Sequence, residues 1–250
     1  MLRWILLFLI VAGVPAEAVE ARYAAYAAGV QVVDMDASFD LTLERYRVRL
    51  VFRTVGALNL VARSRSDTVV EGRFVEGRVA PERFFSSGAL RGGARVTQID
   101  YAGGRPVVRQ LVPPNETERE PVGEADMIGT VDTLSAMAEL VHQVNTTGRC
   151  EGLSTTFDGR RLSVLEARTS GEQVLEASGR SSFAGMTTRC EFVGRQTGGF
   201  MLDEDRATLR RPHMGTAWFA AVVPGGVKIP VRIAFRTQFF GEATMYLANK

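Results

Sequence analysis

The chain has 250 residues, with 30 Lys and Arg against 28 Asp and Glu and a net charge of +2. Its arginines are interleaved with acids and its lysines are confined to Lys228 and Lys250, so the clustered basic field that nucleic-acid binding requires is missing. Only His142 and His213 could join Cys150 and Cys190 in a soft metal site, and neither stands at ligand spacing.

The first segment, residues 1–18, has Arg3, an apolar run from Trp4 to Val14, and Ala16-Glu17-Ala18 with small residues at both cleavage-determining positions. That is the pattern of a secretory signal peptide. The run falls short of the roughly 20 apolar residues of a membrane span. Cleavage after Ala18 is expected, leaving residues 19–250 as a single β-rich domain without a stable membrane span.

Period-two alternation then dominates, as a half-buried antiparallel sheet requires. Met35, Ala37, Phe39 and Leu41 alternate with polar residues. The run 45–54 follows, with Tyr46, Val48, Leu50, Phe52 and Thr54 on one face and Arg45, Arg47, Arg49 and Arg53 on the other; Val51 is the exception. The apolar face is expected to turn inward, onto a packed core or onto a ligand. The arginine face is expected in water or paired with acids on a neighbouring strand, the alternative being anionic headgroups or an acidic partner.

Further strands are expected at 58–63, 68–75, 78–85, 95–101 and 106–112, with Ala102-Gly103-Gly104-Arg105 as a hairpin connection. Residues 112–121, rich in proline and acids, read as a surface connection. Leu134, Met137, Ala138, Leu140, Val141 and Val144 then recur at three- and four-residue steps, which predicts one amphipathic helix near 132–144. Asp132 can cap its start and Thr146-Thr147-Gly148 ends it. Asp158-Gly159 predicts a hairpin between 154–157 and 160–167, Pro224-Gly225-Gly226 separates 216–223 from 227–236, and a last strand is expected at 238–247. The fold class is therefore mainly β: a long antiparallel sheet curled around one helix, as a β-spiral or half-open barrel.

Cys150 and Cys190 are the only cysteines. An even count in an exported chain reads as a disulfide, worth roughly 4 kcal/mol in the chain-entropy model; two free thiols or half of a metal site are the alternatives. No catalytic constellation can be assembled. His142 sits at the flank of the helix, and His213 follows Arg210-Arg211-Pro212 with no partner nominated. Asp203-Glu204-Asp205 lacks the spaced ligands and glycine of a calcium loop and reads as a solvated turn. Thr130, Asp132 and Ser135 read as helix-start capping. No metal and no cofactor is expected.

Several motifs resemble the domain-of-unknown-function 3108 family of exported proteobacterial proteins. They are Tyr23-Ala-Ala-Tyr26-Ala-Ala-Gly29, Thr54-Val55-Gly56, Gly129-Thr-Val-Asp132-Thr-Leu-Ser135-Ala, Phe157-Asp-Gly159-Arg and Ile229-Pro230-Val231 with Thr237 and Gly241. The chain departs from the family pattern at Val32-Val33-Asp34, where a glycine is frequent, and at Thr133, where a proline is. The resemblance implies a periplasmic protein without assigned chemistry. It also implies an architecture similar to that of the envelope-integrity protein EipB, a spiralled sheet with one disulfide, and to the LolA and LolB carriers, which hold acyl chains inside a half-barrel. The expected function is non-enzymatic: binding or carrying a lipid or other apolar molecule, with Tyr46, Val48, Leu50 and Phe52 facing the ligand. The alternative is a structural protein with a packed interior that supports the envelope by docking to an envelope protein.

Overall fold

The computed structural model describes residues 18–237 and 241–248. The expected signal peptide lies outside the described residues except for Ala18. Thirteen strands run in chain order: β1 (Val19–Ala27), β2 (Val30–Leu41), β3 (Arg45–Thr54), β4 (Ser64–Val75), β5 (Arg78–Leu90), β6 (Gly93–Ala102), β7 (Arg105–Val112), β8 (Gly152–Phe157), β9 (Leu162–Leu175), β10 (Gly185–Gly198), β11 (His213–Ala221), β12 (Lys228–Arg236) and β13 (Glu242–Ala248). All join one antiparallel sheet, ordered β7-β6-β5-β4-β3-β2-β1-β13-β12-β11-β10-β9-β8. Pairing of β1 with β13 places the first and last described strands side by side at the middle of the sheet, leaving β7 and β8 as its edges.

Among the described residues, four α-helices and one 3-10 turn (Asn115–Thr117) accompany the sheet: α1 (Gly56–Val61), α2 (Glu124–Met127), α3 (Thr133–Thr147) and α4 (Arg206–Leu209). Only α3 is long. Its N-cap Asp132 accepts from the Ser135 N–H, and Gly148 closes it in the left-handed conformation at φ 72° with its N–H on the Val144 carbonyl. The expected apolar stripe is buried at Ala138, Leu140, Val141 and Val144.

Because every strand pair is antiparallel, the connections divide between two rims. The helix lies at the rim holding the β2–β3, β4–β5 and β11–β12 connections: Ser135 meets Tyr46, Glu139 meets Arg78 and Val79, and Asn145 meets Lys228. Glu139 is buried, so its carboxylate needs these partners: the Val79 N–H at 2.8 Å and the Arg78 guanidinium at 3.2 Å. Cys150, just past the helix, is disulfide-bonded to Cys190 on β10, with 6.2 Å between their Cα atoms. The bond fastens the helix end to the second half of the sheet.

Three expectations change. Residues 58–63 read as a strand in sequence, but α1 occupies most of them: pairing of β3 with β2 ends at Thr54, Gly56 turns the chain at φ 56°, and a short apolar run suits either structure. The strand expected at 160–167 begins at Leu162 and continues to Leu175, where it pairs with β10, a strand the pattern did not announce. Residues 112–121 form a seam as well as a connection. Arg119 bridges to Met201, Arg160 donates to the Val112 carbonyl at 2.8 Å, and Asn115 donates to the Gly159 carbonyl at 3.0 Å. Val131 pairs in parallel with Thr156 on the outer edge of β8. Edge groups that would otherwise invite foreign strands are thereby covered.

Candidate apolar ligand site

Three rows of residues in register describe the inner face of β2 to β6. Nearest the helix, Phe39, Val48, Val70, Phe84 and Ile99 are buried, none more than 8% exposed. In the next row stand Ala37, Leu50, Thr68, Ser86 and Thr97, and in the third Met35, Phe52, Ser66, Gly88 and Arg95. Leu50, Phe52, Met35, Ser66, Thr68 and Ser86 are only partly buried, although all point the same way as the core residues.

The four residues expected to face a ligand therefore divide. Tyr46, 2% exposed, donates its hydroxyl to Ser135 Oγ at 2.8 Å, and its ring packs tilted against Phe74 at 5.2 Å. That ring is admitted by Gly72, whose Cβ, if present, would lie 2.6 Å from the Tyr46 hydroxyl. Val48 is 1% exposed within the same core. Both meet protein atoms, because α3 covers this rim. Leu50 also packs against the core, but it and Phe52 are only partly buried.

Behind Tyr46, Ser135 Oγ donates to Asp132 Oδ2 at 2.6 Å. Asp132 is fully buried, and burial pushes its carboxyl up to about 6 against the stabilising bonds from Ser135. The arrangement has the residue types of a nucleophile and an acid, with Asp132, Ser135 and Tyr46 all buried. His142 stacks on Phe74 with ring centroids 3.9 Å apart, and partial burial lowers its pKa.

Three of the four arginines on the outer face are paired with acids, while Arg45 stands opposite Arg73. Arg47 meets Glu71 at 2.9 Å, Arg49 grips Asp67 with two bonds of 3.0 and 2.6 Å, and Arg53 reaches Asp34 at 3.0 Å. Val51 stands between Asp36 and Asp67 on the neighbouring strands. In the acidic turn, Asp205 caps α4 through the Ala207 and Thr208 N–H groups.

Two features escaped the sequence reading. Ser66, Thr68 and Ser86 form a triangle of hydroxyls at 2.8–3.2 Å beside Leu50 and Phe52. The alternation of Ser64, Ser66 and Thr68 with charged residues would have revealed polar groups on the inward parity. At the seam, Arg95 forms a two-bond pair with Glu118, at 2.6 and 2.7 Å, and no local signal links those positions.

Two grooves on the protein lie elsewhere. One of about 500 Å³ crosses the outer face of β9 to β12, between Arg168, Glu191, Thr216, Ala234 and Arg236. Another of about 370 Å³ is lined by Asp158, Arg161, Leu165 and His213. Neither includes Leu50 or Phe52. Among the described residues, no group of three or more His, Cys, Asp or Glu is placed to hold a metal ion, and no helix is long and apolar enough to cross a membrane.

The overall shape has a solved counterpart. A beta-barrel-like protein of the domain of unknown function DUF1849 from Brucella abortus is similar at a TM-score of 0.54, over 94% of this chain and 98% of that one, with 13% sequence identity. At that identity the likeness is one of fold. A search of the curated proteins finds no match. The family model of proteins of unknown function, DUF3108, matches residues 22–248; the chain belongs to the DUF3108 family.

Proposed function

We propose that this is an exported, periplasmic, non-enzymatic protein that holds a lipid or other apolar molecule against the inner face of its sheet and thereby supports the cell envelope. One observation carries the reading: Leu50 and Phe52 share the inward parity yet stay partly exposed, while burial is greatest at the rim along which α3 runs. Inward apolar surface left in water is costly, at roughly 25 cal/mol per Å², and an apolar ligand would relieve that cost. The barrel-like fold is compatible with such a role. The disulfide supports export, since such bonds persist in oxidising compartments. The enclosure of Asp132, Ser135 and Tyr46 supports the absence of catalysis.

The test is native mass spectrometry and lipid extraction of the protein purified from its own cells. A bound apolar molecule that is lost in Leu50→Arg, with the fold retained, is the expected result. Protein that carries none and takes up no apolar probe would end the reading.

A second reading is favoured by α1. Leu60 is 86% and Val61 75% exposed on this short helix, which follows directly from the open end of β3. Exposed apolar side chains of this kind mark docking surfaces, and an envelope protein would be the partner. Crosslinking in cells from position 60, yielding one discrete protein adduct while no lipid is extracted, would favour it.

A further inference from the structure

The third inner row changes character along its length. Met35 and Phe52 are apolar, Ser66 carries a hydroxyl, Gly88 has no side chain, and Arg95 is cationic. Three strand spacings, roughly 14 Å along the wall, separate Phe52 from Arg95. Where the row ends, the seam brings further arginines together. Arg160, whose side chain is 11% exposed, lies 3.6 Å from Glu118, the same carboxylate that Arg95 holds. Arg119 adjoins them, with one guanidinium nitrogen donating to the Gly199 carbonyl at 2.9 Å. Close approach here depends on Gly199, in the left-handed region at φ 64°, since a Cβ would fall 1.9 Å from the Arg160 carbonyl oxygen.

Arg95 and Arg160 both contact Glu118, and with Arg119 and Arg161 they make four guanidiniums around two carboxylates, Glu118 and Asp158, the latter held by Arg161; the nearby Glu120 is engaged by Arg206. The crowding is felt: desolvation first, then neighbouring arginines, lower the pKa of Arg119 and of Arg160, and Asp158 and Glu118 offset this only in part. The Arg119 Nε is buried with no acceptor among the described residues. A buried cationic donor left in that condition is costly unless an acceptor reaches it.

We propose that Arg95, Arg119 and Arg160 form a site for an anionic group, the carboxylate or phosphate of an amphiphile whose apolar part lies along Phe52 and Leu50. This rests on the apolar-ligand reading and narrows it from any hydrophobic molecule to an acidic amphiphile. The hydroxyls of Ser66, Thr68 and Ser86 lie between the two ends, where the polar neck of such a molecule would pass.

The test is calorimetric titration of the purified protein with dodecanoate, dodecanol and inorganic phosphate, repeated on Arg119→Gln. Dodecanoate is expected to bind at least tenfold more tightly than dodecanol, with the preference weakening as salt rises. Arg119→Gln should reduce the preference to threefold or less while leaving dodecanol affinity unchanged. Equal affinity of unaltered protein for the two would overturn the anion site and leave the apolar reading standing. Arg119-dependent phosphate binding without either dodecyl compound would keep the anion site, assign it to a free anion and overturn the apolar reading. Binding of none of the three would overturn both. A preference that survives in Arg119→Gln would refute this assignment of residues. If that variant does not fold, the comparison on unaltered protein and its salt dependence decide.

Discussion

At the helix rim, Tyr46, Val48, Val70 and Phe74 are at most 9% exposed beneath α3. Further along the same strands, Leu50, Phe52, Thr68 and Ser66 share the inward parity and yet remain partly exposed. Strand, pairing and alternation are shared by the two regions; burial differs. Period two therefore decides which way a side chain points, and packing decides how far it is covered there.

The largest test of that contrast is a matched pair of truncations. Tyr46→Ala should lower unfolding free energy by about 3–5 kcal/mol, as for other large buried aromatic residues, and leave Ser135 without its donor. Phe52→Ala should cost about 1 kcal/mol, because its burial is partial. Equal losses in urea titrations would break the comparison and show the far end to be packed as well.

Replacing Cys150 and Cys190 together with serine should cost roughly 2–4 kcal/mol, seen as a clear fall in melting temperature. The same fall should follow reduction of the unaltered protein. If the bond holds the helix over its rim, hydrogen exchange in α3 should rise more than in β3 beyond Leu50. Uniform loosening would argue against that role.

Asp132 sharpens the contrast through pH. Burial raises its carboxyl to about 6 in the folded protein from an ordinary value of 3.8. As pH rises from about 4, the unfolded chain releases this proton while the folded chain keeps it, so this group's contribution to stability falls until about pH 6 and is flat above. The drop is on the order of 3 kcal/mol. Asp132→Asn retains an N-cap acceptor and should remove that slope from stability measured between pH 4 and 7. A slope unchanged in the variant would mean that Asp132 does not titrate in this window.

The smallest effect belongs to the outer face. Arg49→Gln breaks a two-bond pair with Asp67 in which the arginine is 56% exposed. It should cost under about 1 kcal/mol, less at high salt. A loss comparable with that of Tyr46→Ala would show this face to be covered in the working protein.

Features carried by near neighbours in the chain were legible from the residues alone. Asp132 and Gly148 bound the helix because capping is a matter of three or four residues. Gly103-Gly104, Asp158-Gly159 and Pro224-Gly225-Gly226 mark hairpins because the turn demands its own residues. Alternation in 35–41 and 45–54 placed the apolar face inward, and an even pair of cysteines pointed to the disulfide. Short or polar stretches were less legible. Leu58 to Val61 suits helix or strand equally, and β10 pairs with the extended β9 through Gly, Thr, Arg and Gln positions of little periodic contrast.

Tertiary structure alone decided what lies against each inward residue. Nothing near Tyr46 in sequence announces Ser135, which is 89 residues away, and nothing near Arg95 announces Glu118 or Arg160 across the seam. The sheet stays open at β7 and β8 because residues 113–131 occupy the seam between them. α3 runs along one rim, against Tyr46, Arg78, Val79 and Lys228, and the burial of inward residues is greatest there. Such contacts are set by packing among distant segments, and a local pattern records only that a face seeks cover, not which group will cover it.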